Sequence, residues 1–296
     1  MDANFEKIET SSLIALAVAT IDYNRYQCDN YKSYKVIMQE IKTFPFGQPI
    51  VSLAQSDRSP KRVFILGVYA SAVHARWVGE DGRSIVRALA VASEPEIFWR
   101  GEGESDIIAK IPVPLGSGKL LPPGKNLNGP SGKALDKMFL DPLQLKRSDV
   151  WLCDLVPYSC MNDRQKKALA SKYDVQSKKL NLPHYYWPPV PATLANEQRR
   201  AEIAGEVSEA SPDIFITLGD QPLQWFTKYF GSKSKLSDYG DSFDRYGLLH
   251  DIIIDGRDMK LLPLVHPRQA AKLGSHSAKW SDFHESWMKD VAPNLL

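Results

Sequence analysis

The stretch from Arg62 to Trp77, RVFILGVYASAVHARW, limits the possible folds more than any other part of the chain. Its apolar, β-branched run Val63–Val68 is typical of a buried parallel strand, and the small residues after it predict a loop that carries Tyr69, Ser71 and His74. Ligands of open α/β sheets bind at the carboxyl ends of the strands, so this loop is a candidate binding site. An ordinary core strand followed by a turn of small residues would give the same pattern.

Three more apolar runs predict buried strands, at Asp149–Val156, Asp213–Leu218 and Met259–Val265. The last of these is expected to pair with Leu248–Asp255 across the Gly256 turn. Segments with helical spacing separate the strands, and this alternation predicts a doubly wound α/β domain with a parallel sheet.

Residues 1–60 are predicted to form a helical N-terminal extension, and residues 61–296 a single α/β domain. Helical spacing occurs at Ser11–Tyr23 and Tyr31–Thr43, and the proline-containing stretch Phe44–Pro60 predicts a loop. A second stretch, Gly101–Asn128, is rich in Gly, Pro and Lys and predicts a long loop, which in a compact domain is usually functional or disordered.

The composition excludes several classes of protein. Hydrophobic residues make up 43% of the chain and charged residues 24%, close to the averages for soluble globular proteins. Because no apolar run reaches 18 residues and no charged leader precedes an apolar core, we expect no membrane partner and a cytoplasmic location. Cys28, Cys153 and Cys160 include no C-x-x-C pair and predict neither a disulfide framework nor a zinc site. The net charge of +2 does not indicate a polyanion partner, although a local basic face would not show in the sum.

Polar residues occur at the ends of all four predicted parallel strands. They are Tyr69 and His74 after the first, Asp154 within the second, Asp220 after the third and His266 after the last. Because such side chains can converge on one crevice, the sequence predicts a shared site. Each residue also has a structural alternative, since Asp220 is a typical helix N-cap and an isolated His266 would be a hydrogen-bonded structural histidine.

Five segments, taken in order, resemble the motifs of the uracil-DNA glycosylase superfamily. ILGVYASA resembles the first motif, a strand followed by a Gly-x-x-Pro-Gly or Gly-Leu-Ala-Pro-Ala loop. NGPSGKALDKMF is similar to the helix that follows, DVWLCDLVPYS to the strand that normally ends in Asn, PDIFITLGDQPLQWF to the Leu-Gly-x-x-Ala-Leu segment, and LLPLVHPRQAAKL to the His-Pro-Ser motif. Together they extend over about residues 62–290.

The resemblance implies a three-layer αβα domain with a central four-stranded parallel sheet and a DNA-binding groove across the strand ends. Members of the superfamily flip a base out of DNA and hydrolyse its N-glycosidic bond. The resemblance assigns His266 to hydrogen bonding with the developing oxyanion of the base. It also implies a monomer that binds DNA and needs no cofactor, because three cysteines cannot supply the four ligands of an iron-sulfur cluster.

The resemblance further suggests residues that contact DNA. Pro267–Ser275 corresponds to a loop that inserts into the duplex, with Leu273 as a candidate apolar wedge. Arg268 and Lys272 would contact phosphates, and Ser131 is a further candidate DNA-binding residue. Basic residues in such a loop could equally form a solvated surface.

The first motif departs from the superfamily pattern. Several branches have an acidic residue or Asn there to hold or activate water, whereas this chain has Val68 and Tyr69, which cannot act as a carboxylate base. The most similar branch has an apolar loop followed by a histidine, which His74 would match, with Ala70 in place of proline. Water positioning would then pass to Asn128, a candidate catalytic residue, and Tyr69 would shape the base pocket.

The second departure is Asp154, which stands where the superfamily usually has Asn. An ionised carboxylate only accepts hydrogen bonds and would favour an exocyclic amine such as N4 of cytosine. We therefore hypothesise a modified or cytosine-like base rather than plain uracil. The alternative is that Asp154 caps a helix or pairs with a cation.

Two rival functions remain open at this stage. One is a non-catalytic nucleic-acid-binding protein that retains the fold, and the other is an unrelated doubly wound enzyme acting on a nucleotide or small molecule. Against the latter, neither G-x-G-x-x-G nor G-x-x-x-x-G-K-[ST] occurs in the required strand and helix context. The aromatic segment Leu180–Pro191 would either stack on unpaired bases or pack in the core.

Overall fold

The computed structural model describes residues 42–274 and 277–296. The strands in these two ranges are β1 Val63–Tyr69, β2 Ala72–Val78, β3 Ser84–Ser93, β4 Lys119–Leu121, β5 Val150–Val156, β6 Ile214–Leu218, β7 His250–Ile254 and β8 Arg257–Leu264. The helices are α1 Glu104–Ala109, α2 Pro130–Leu135, α3 Asp163–Ala168, α4 Asp174–Leu180, α5 Glu197–Ala210, α6 Asp220–Trp225, α7 Leu236–Tyr239, α8 Pro267–Ala270 and α9 Ala278–Asp290. None of these helices is long and apolar enough to cross a membrane.

The main sheet has five strands within the described ranges, in the order β5-β1-β6-β8-β7. The first four are parallel and confirm the predicted parallel sheet. Their apolar side chains are buried on both faces, as is usual for parallel strands. The fifth strand, β7, lies beside the four parallel strands and confirms the predicted pairing across the Gly256 turn. It forms an antiparallel hairpin with β8 through Asp255 and Gly256, whose positive φ angles of 53° and 80° suit a two-residue turn.

A second, antiparallel sheet in the same part of the chain has the order β3-β2-β4. It corrects the loop predicted after the first strand, because β2 begins at Ala72 and only two residues separate it from β1. In the sequence of β2, small residues obscure the alternation of apolar and polar side chains around Trp77. In the structure Trp77 is buried and packs edge-on against Phe46 at 5.4 Å. The predicted long loop Gly101–Asn128 likewise contains α1 and β4, and β4 pairs with β2.

This small sheet has an apolar core of its own, separate from that of the main sheet. The small core includes Phe46, Trp77, Leu89, Tyr173 and Trp187. Trp187 is buried, and its indole nitrogen donates to the carbonyl of Ser159 at 3.3 Å, which confirms the packing role for this part of the aromatic segment.

Residues 42–60 pack on the domain instead of extending from it. The amide of Leu53 donates to the carbonyl of Pro157 at 2.7 Å, and the side chain of Gln55 accepts from the amide of Leu152 at 3.0 Å. Residues 42–60 belong to the same compact unit as the rest of the described chain. The predicted helix Ser11–Tyr23 and nearly all of the next predicted helix lie outside the described residues.

Candidate functional site

A cleft of about 790 Å³ opens at the carboxyl ends of the four parallel strands. The candidate site residues from the sequence that line it are Tyr69, His74, Ser131, Asp154, Asp220, His266, Arg268 and Leu273. Two further candidates, Asn128 and Lys272, do not line it. The cleft also contains two residues that the sequence analysis missed, Glu94 and Phe98.

Asp154 occupies the buried part of the cleft next to Gly67 of the neighbouring strand. Its side chain has no hydrogen bond or ion pair with any residue in the described ranges. Burial raises the pKa of the Asp154 carboxyl to about 7, against a smaller lowering effect of the Arg199 charge. The alternative role, in which Asp154 caps a helix or pairs with a cation, is not observed among these residues.

The ring of Phe98 forms an aromatic wall beside Asp154. The backbone φ angle of Phe98 is 53°, a strained value for a non-glycine residue, and contacts with neighbouring residues hold the main chain in this conformation. Arg147 donates to the Phe98 carbonyl at 2.8 Å, and its Nε donates to Asp136 at 2.7 Å. Gly132 of α2 packs so closely that a Cβ there would lie 2.1 Å from the Phe98 carbonyl oxygen. Arg147 and Gly132 therefore hold the main chain of Phe98 in the strained conformation that places its ring at the site.

His266 lies at the end of the main sheet and is the N-cap of α8. Its Nδ1 accepts a hydrogen bond from the amide of Arg268 at 3.2 Å. Burial, with a smaller contribution from the Arg268 charge, lowers the pKa of His266 to about 4. The ring is therefore neutral at pH 7 and, because Nδ1 is an acceptor, carries its proton on Nε2.

Asn128 has a structural role. Its side-chain oxygen accepts from the amide of His74 at 2.8 Å, and its Nδ2 donates to the His74 carbonyl at 2.9 Å and to Glu104 at 2.7 Å. These bonds use both Nδ2 protons, and Asn128 does not line the cleft, so the geometry lends no support to the predicted water-positioning role. The bonds instead hold the main chain of His74, whose buried Nδ1 has no hydrogen-bond partner in the described ranges.

Glu94 follows directly after β3 and is only 5% exposed. Burial raises its pKa to about 8, with a further contribution from the charge on Asp154 and an opposing one from a hydrogen bond with Ser71. The sequence motifs do not point to Glu94 or Phe98, because both residues lie in a segment without a counterpart in them. The sequence contains one signal for Glu94 as a site residue, because it is an acidic residue at the end of a strand with many apolar residues.

The predicted DNA contacts divide into two groups. Arg268, Leu273 and Ser131 line the cleft, and Ser131 lies in the first turn of α2. Lys272 is paired with α9, where its Nζ lies 3.0 Å from Glu285 and 3.6 Å from Asp282. Lys272 is therefore less available to a phosphate than Arg268. The end of the predicted insertion loop, residue 275, lies outside the described ranges.

The predicted N-cap Asp220 is the first residue of α6, and Gly219 is the N-cap. The Asp220 carboxylate instead accepts a hydrogen bond from the amide of Leu236 at 2.7 Å. Within the described part of the chain, no group of three or more His, Cys, Asp or Glu side chains could hold a metal ion. The chain matches no protein-family model and no curated protein.

Proposed function

We propose that the protein is a DNA N-glycosylase that binds a flipped base in the cleft and hydrolyses its N-glycosidic bond. The observation that carries this proposal is the convergence of a neutral His266, the carboxyl of Asp154 and the ring of Phe98 in one cleft. These groups correspond to an oxyanion donor, a hydrogen-bonding group for a base edge and a stacking surface. The proposed fold is the three-layer αβα fold of the uracil-DNA glycosylase superfamily, and the parallel order β5-β1-β6-β8 supports it.

His266 supplies the electrostatic part of the proposed mechanism. Negative charge develops on a carbonyl oxygen of the base as the glycosidic bond breaks, and the Nε2–H of a neutral histidine can donate to that oxygen. The bond from the Arg268 amide to Nδ1 fixes the ring and its proton in advance. Removing one preorganised donor of this kind typically slows a reaction by about 10² to 10³-fold.

Asp154 supplies base recognition. As an ionised carboxylate it only accepts hydrogen bonds, but with a pKa of about 7 it is also populated as an acid that donates one bond and accepts another. The acid form can match the uracil edge, as an Asn amide does, or the N3 and N4 edge of cytosine. The ionised form favours the exocyclic amine of a cytosine-like base. The proposed substrate is for this reason a modified or cytosine-like base, and uracil is the comparison substrate.

The proposal is tested by abasic-site formation on single- and double-stranded DNA containing uracil, cytosine, 5-modified cytosines or deaminated purines. His266→Asn is the informative variant, because Asn is also a good N-cap for α8 but lacks the imidazole donor. We expect His266→Asn to lower the rate by at least about 100-fold. The matched control is His184→Asn, which changes an exposed histidine.

Excision that survives His266→Asn unchanged would contradict the proposed mechanism. Strong uracil excision that is unchanged in Asp154→Asn would remove the proposed preference for a cytosine-like base. Tight DNA binding by the wild type without excision of any of these bases would favour a non-catalytic nucleic-acid-binding protein. That rival has support in Val68 and Tyr69, which stand where a water-activating group is expected.

A further inference from the structure

Two buried carboxyl groups line the cleft from different sheets. Glu94 follows the last residue of β3 in the small sheet, whereas Asp154 belongs to β5 of the main sheet. Their side chains are 5% and 4% exposed, and the charge on Asp154 acts on Glu94. The cleft therefore contains an acid pair, Glu94 and Asp154, that the sequence motifs did not indicate.

No cation in the described part of the chain neutralises this pair. Neither carboxyl forms an ion pair there, and Arg199 reaches only the main-chain carbonyl of Asp154, at 2.7 Å. The Arg199 guanidinium is itself paired with Glu202 and Glu206. Two like charges cannot both persist in a poorly solvated site, so the pair retains a proton at neutral pH.

The location of that proton follows from the surroundings of the two side chains. The Arg199 guanidinium lies against the main chain of Asp154, and its charge favours the ionised form of that carboxyl. Glu94, by contrast, is near the like charges of Asp154 and Glu96. The hydrogen bond from Ser71 favours ionised Glu94 and opposes this effect only in part. The pKa values of about 8 for Glu94 and about 7 for Asp154 agree with a proton held mainly on Glu94. Glu94 can then donate while Asp154 accepts.

We propose that Glu94 is the general acid that protonates the departing base and that, with Asp154, it selects a cytosine-like edge. This inference rests on the proposed glycosylase function. An edge with an acceptor at N3 and an amine at N4 matches a donor on Glu94 beside an acceptor on Asp154. Because the proton transfer places Glu94 at N3, a uracil edge would set N3–H against the Glu94 proton and O4 against the Asp154 carboxylate, and neither contact is a hydrogen bond.

The step balances in the following way. The Glu94 proton moves to N3 of the base, and the electron pair of the C1′–N1 bond moves to the base, which leaves as neutral cytosine. Water forms the new bond to C1′ and releases one proton, which restores the acid form of Glu94. The net change is addition of one water across the glycosidic bond. Proton donation matters more for cytosine than for uracil, because unprotonated cytosine is the poorer leaving group.

Other titratable groups surround the pair and contribute to the pH dependence of the excision rate. Glu96 lies on the same loop as Glu94 and raises the Glu94 pKa slightly. The cleft is also lined by Tyr69, His74, Cys160, Asp220, His266 and Arg268. His266 has a pKa of about 4, so its titration falls well below that of Glu94.

The decisive experiment compares cytosine with 5-fluorocytosine in single-turnover excision by the wild type and Glu94→Gln. The two bases have the same hydrogen-bonding edge, but fluorine stabilises a base that leaves as an anion. We expect Glu94→Gln to slow cytosine excision by at least about 100-fold and 5-fluorocytosine excision by less than about 10-fold. The control is Glu80→Gln, which makes the same charge change at an exposed turn.

The pH profile separates an acid from a base. A general acid beside an ionised acceptor predicts a cytosine excision rate that rises through the Asp154 pKa of about 7 and falls as pH rises through about 8, with only the falling limb absent in Glu94→Gln. A limb that rises with pH and disappears in the same variant would identify Glu94 as a base and overturn the proposal. Equal slowing on both substrates would also overturn it.

A spectroscopic titration distinguishes failure of this inference from failure of the proposed function. Infrared difference spectra with ¹³C-labelled glutamate follow the protonated Glu94 carboxyl directly, and Asp154→Asn should lower its midpoint by removing the neighbouring charge. An ordinary carboxylate midpoint in the wild type would overturn the acid pair, whatever the excision results. An elevated midpoint in a protein that excises no base would support the pair and reject its catalytic role together with the proposed function.

Discussion

Gly67 and Asp154 lie side by side on the parallel strands β1 and β5, and the side chain of Asp154 extends over the space where Gly67 lacks one. A Cβ on Gly67 would lie 2.3 Å from the Asp154 carboxylate oxygen Oδ1 and 2.8 Å from the ring of Phe98. The acidic and the aromatic side chains of the cleft therefore both depend on this glycine. Glycine is required at position 67 because there is no space for a side chain, and not because of its backbone conformation.

We expect Gly67→Ala to displace Asp154 and Phe98 together. Excision should fall by at least about 100-fold, and overpacking should lower the free energy of unfolding by about 1 to 3 kcal/mol. Measurements are single-turnover rates and urea denaturation. Gly205→Ala in α5 is the control, since no atom lies within 4 Å of the added Cβ, and it should stabilise by about 0.5 to 1 kcal/mol. Wild-type activity in Gly67→Ala would contradict the packing argument.

Arg147 is expected to act on the base through Phe98. Arg147→Lys keeps the charge but removes the planar set of donors that binds Asp136 and the Phe98 carbonyl, so kcat/KM should fall by about 10-fold. Phe98→Leu should weaken substrate binding by removing the stacking surface. If Arg147 acts through Phe98, the double variant will be little worse than Phe98→Leu alone. Fully additive effects would show that Arg147 has an independent role, and Arg83→Lys is the exposed control.

The buried acid pair should affect the dependence of stability on pH. The pKa of Glu94 is raised from 4.5 to about 8 in the folded state, so the unfolded chain binds fewer protons between these values and stability falls as pH rises. Glu94→Gln should raise the free energy of unfolding by about 1 to 3 kcal/mol at pH 8.5 and leave it nearly unchanged near pH 4. Thermal denaturation at both pH values measures the difference. A gain of equal size at both, or the same result for Glu80→Gln, would contradict this explanation.

Helix α3 should contribute to binding the DNA backbone. Asn162 and Gln165 line the cleft at its start, and Arg164, Lys166 and Lys167 are exposed beside them. Replacing the three cations with Ala should weaken binding to all DNA sequences alike. The slope of log affinity against log salt should become shallower by up to about 0.9 for each phosphate that the variant no longer neutralises.

The matched control for the α3 variant replaces three cations at the amino ends of main-sheet strands, opposite the strand ends that form the cleft. Arg62 precedes β1, and Arg257 and Lys260 lie in the first half of β8. Their replacement with Ala should leave the salt dependence of DNA binding unchanged. An equal effect of both triple variants would indicate attraction by overall charge and no defined binding face.

The sequence predicted the main sheet more accurately than the small one. The run at β5 is buried along its whole length, so its apolar pattern specifies a strand without further context. In β2, by contrast, small residues and His74 hide the alternation, and the strand is held by pairing with β3 and β4 and by packing against Phe46. Such tertiary stabilisation leaves little signal in a local window.

The same distinction applies to the site. Tyr69, Asp154 and His266 could be located from the sequence because strand ends of a parallel sheet meet at one edge. Asn128 could not be interpreted, since its partners include the main chain of a residue 54 positions away. Glu94 reaches the cleft only through the path of β3, which no motif in the chain specifies.

The small sheet has a core separate from that of the parallel sheet, and Glu94 follows the strand that includes the buried residues Leu89 and Val91. Substitutions of these two side chains can shift Glu94 relative to Asp154 while the sequences of the parallel strands remain unchanged. Under the proposed function, substrate preference can therefore diverge during evolution through the apolar interior of the small sheet, at residues that none of the catalytic motifs includes.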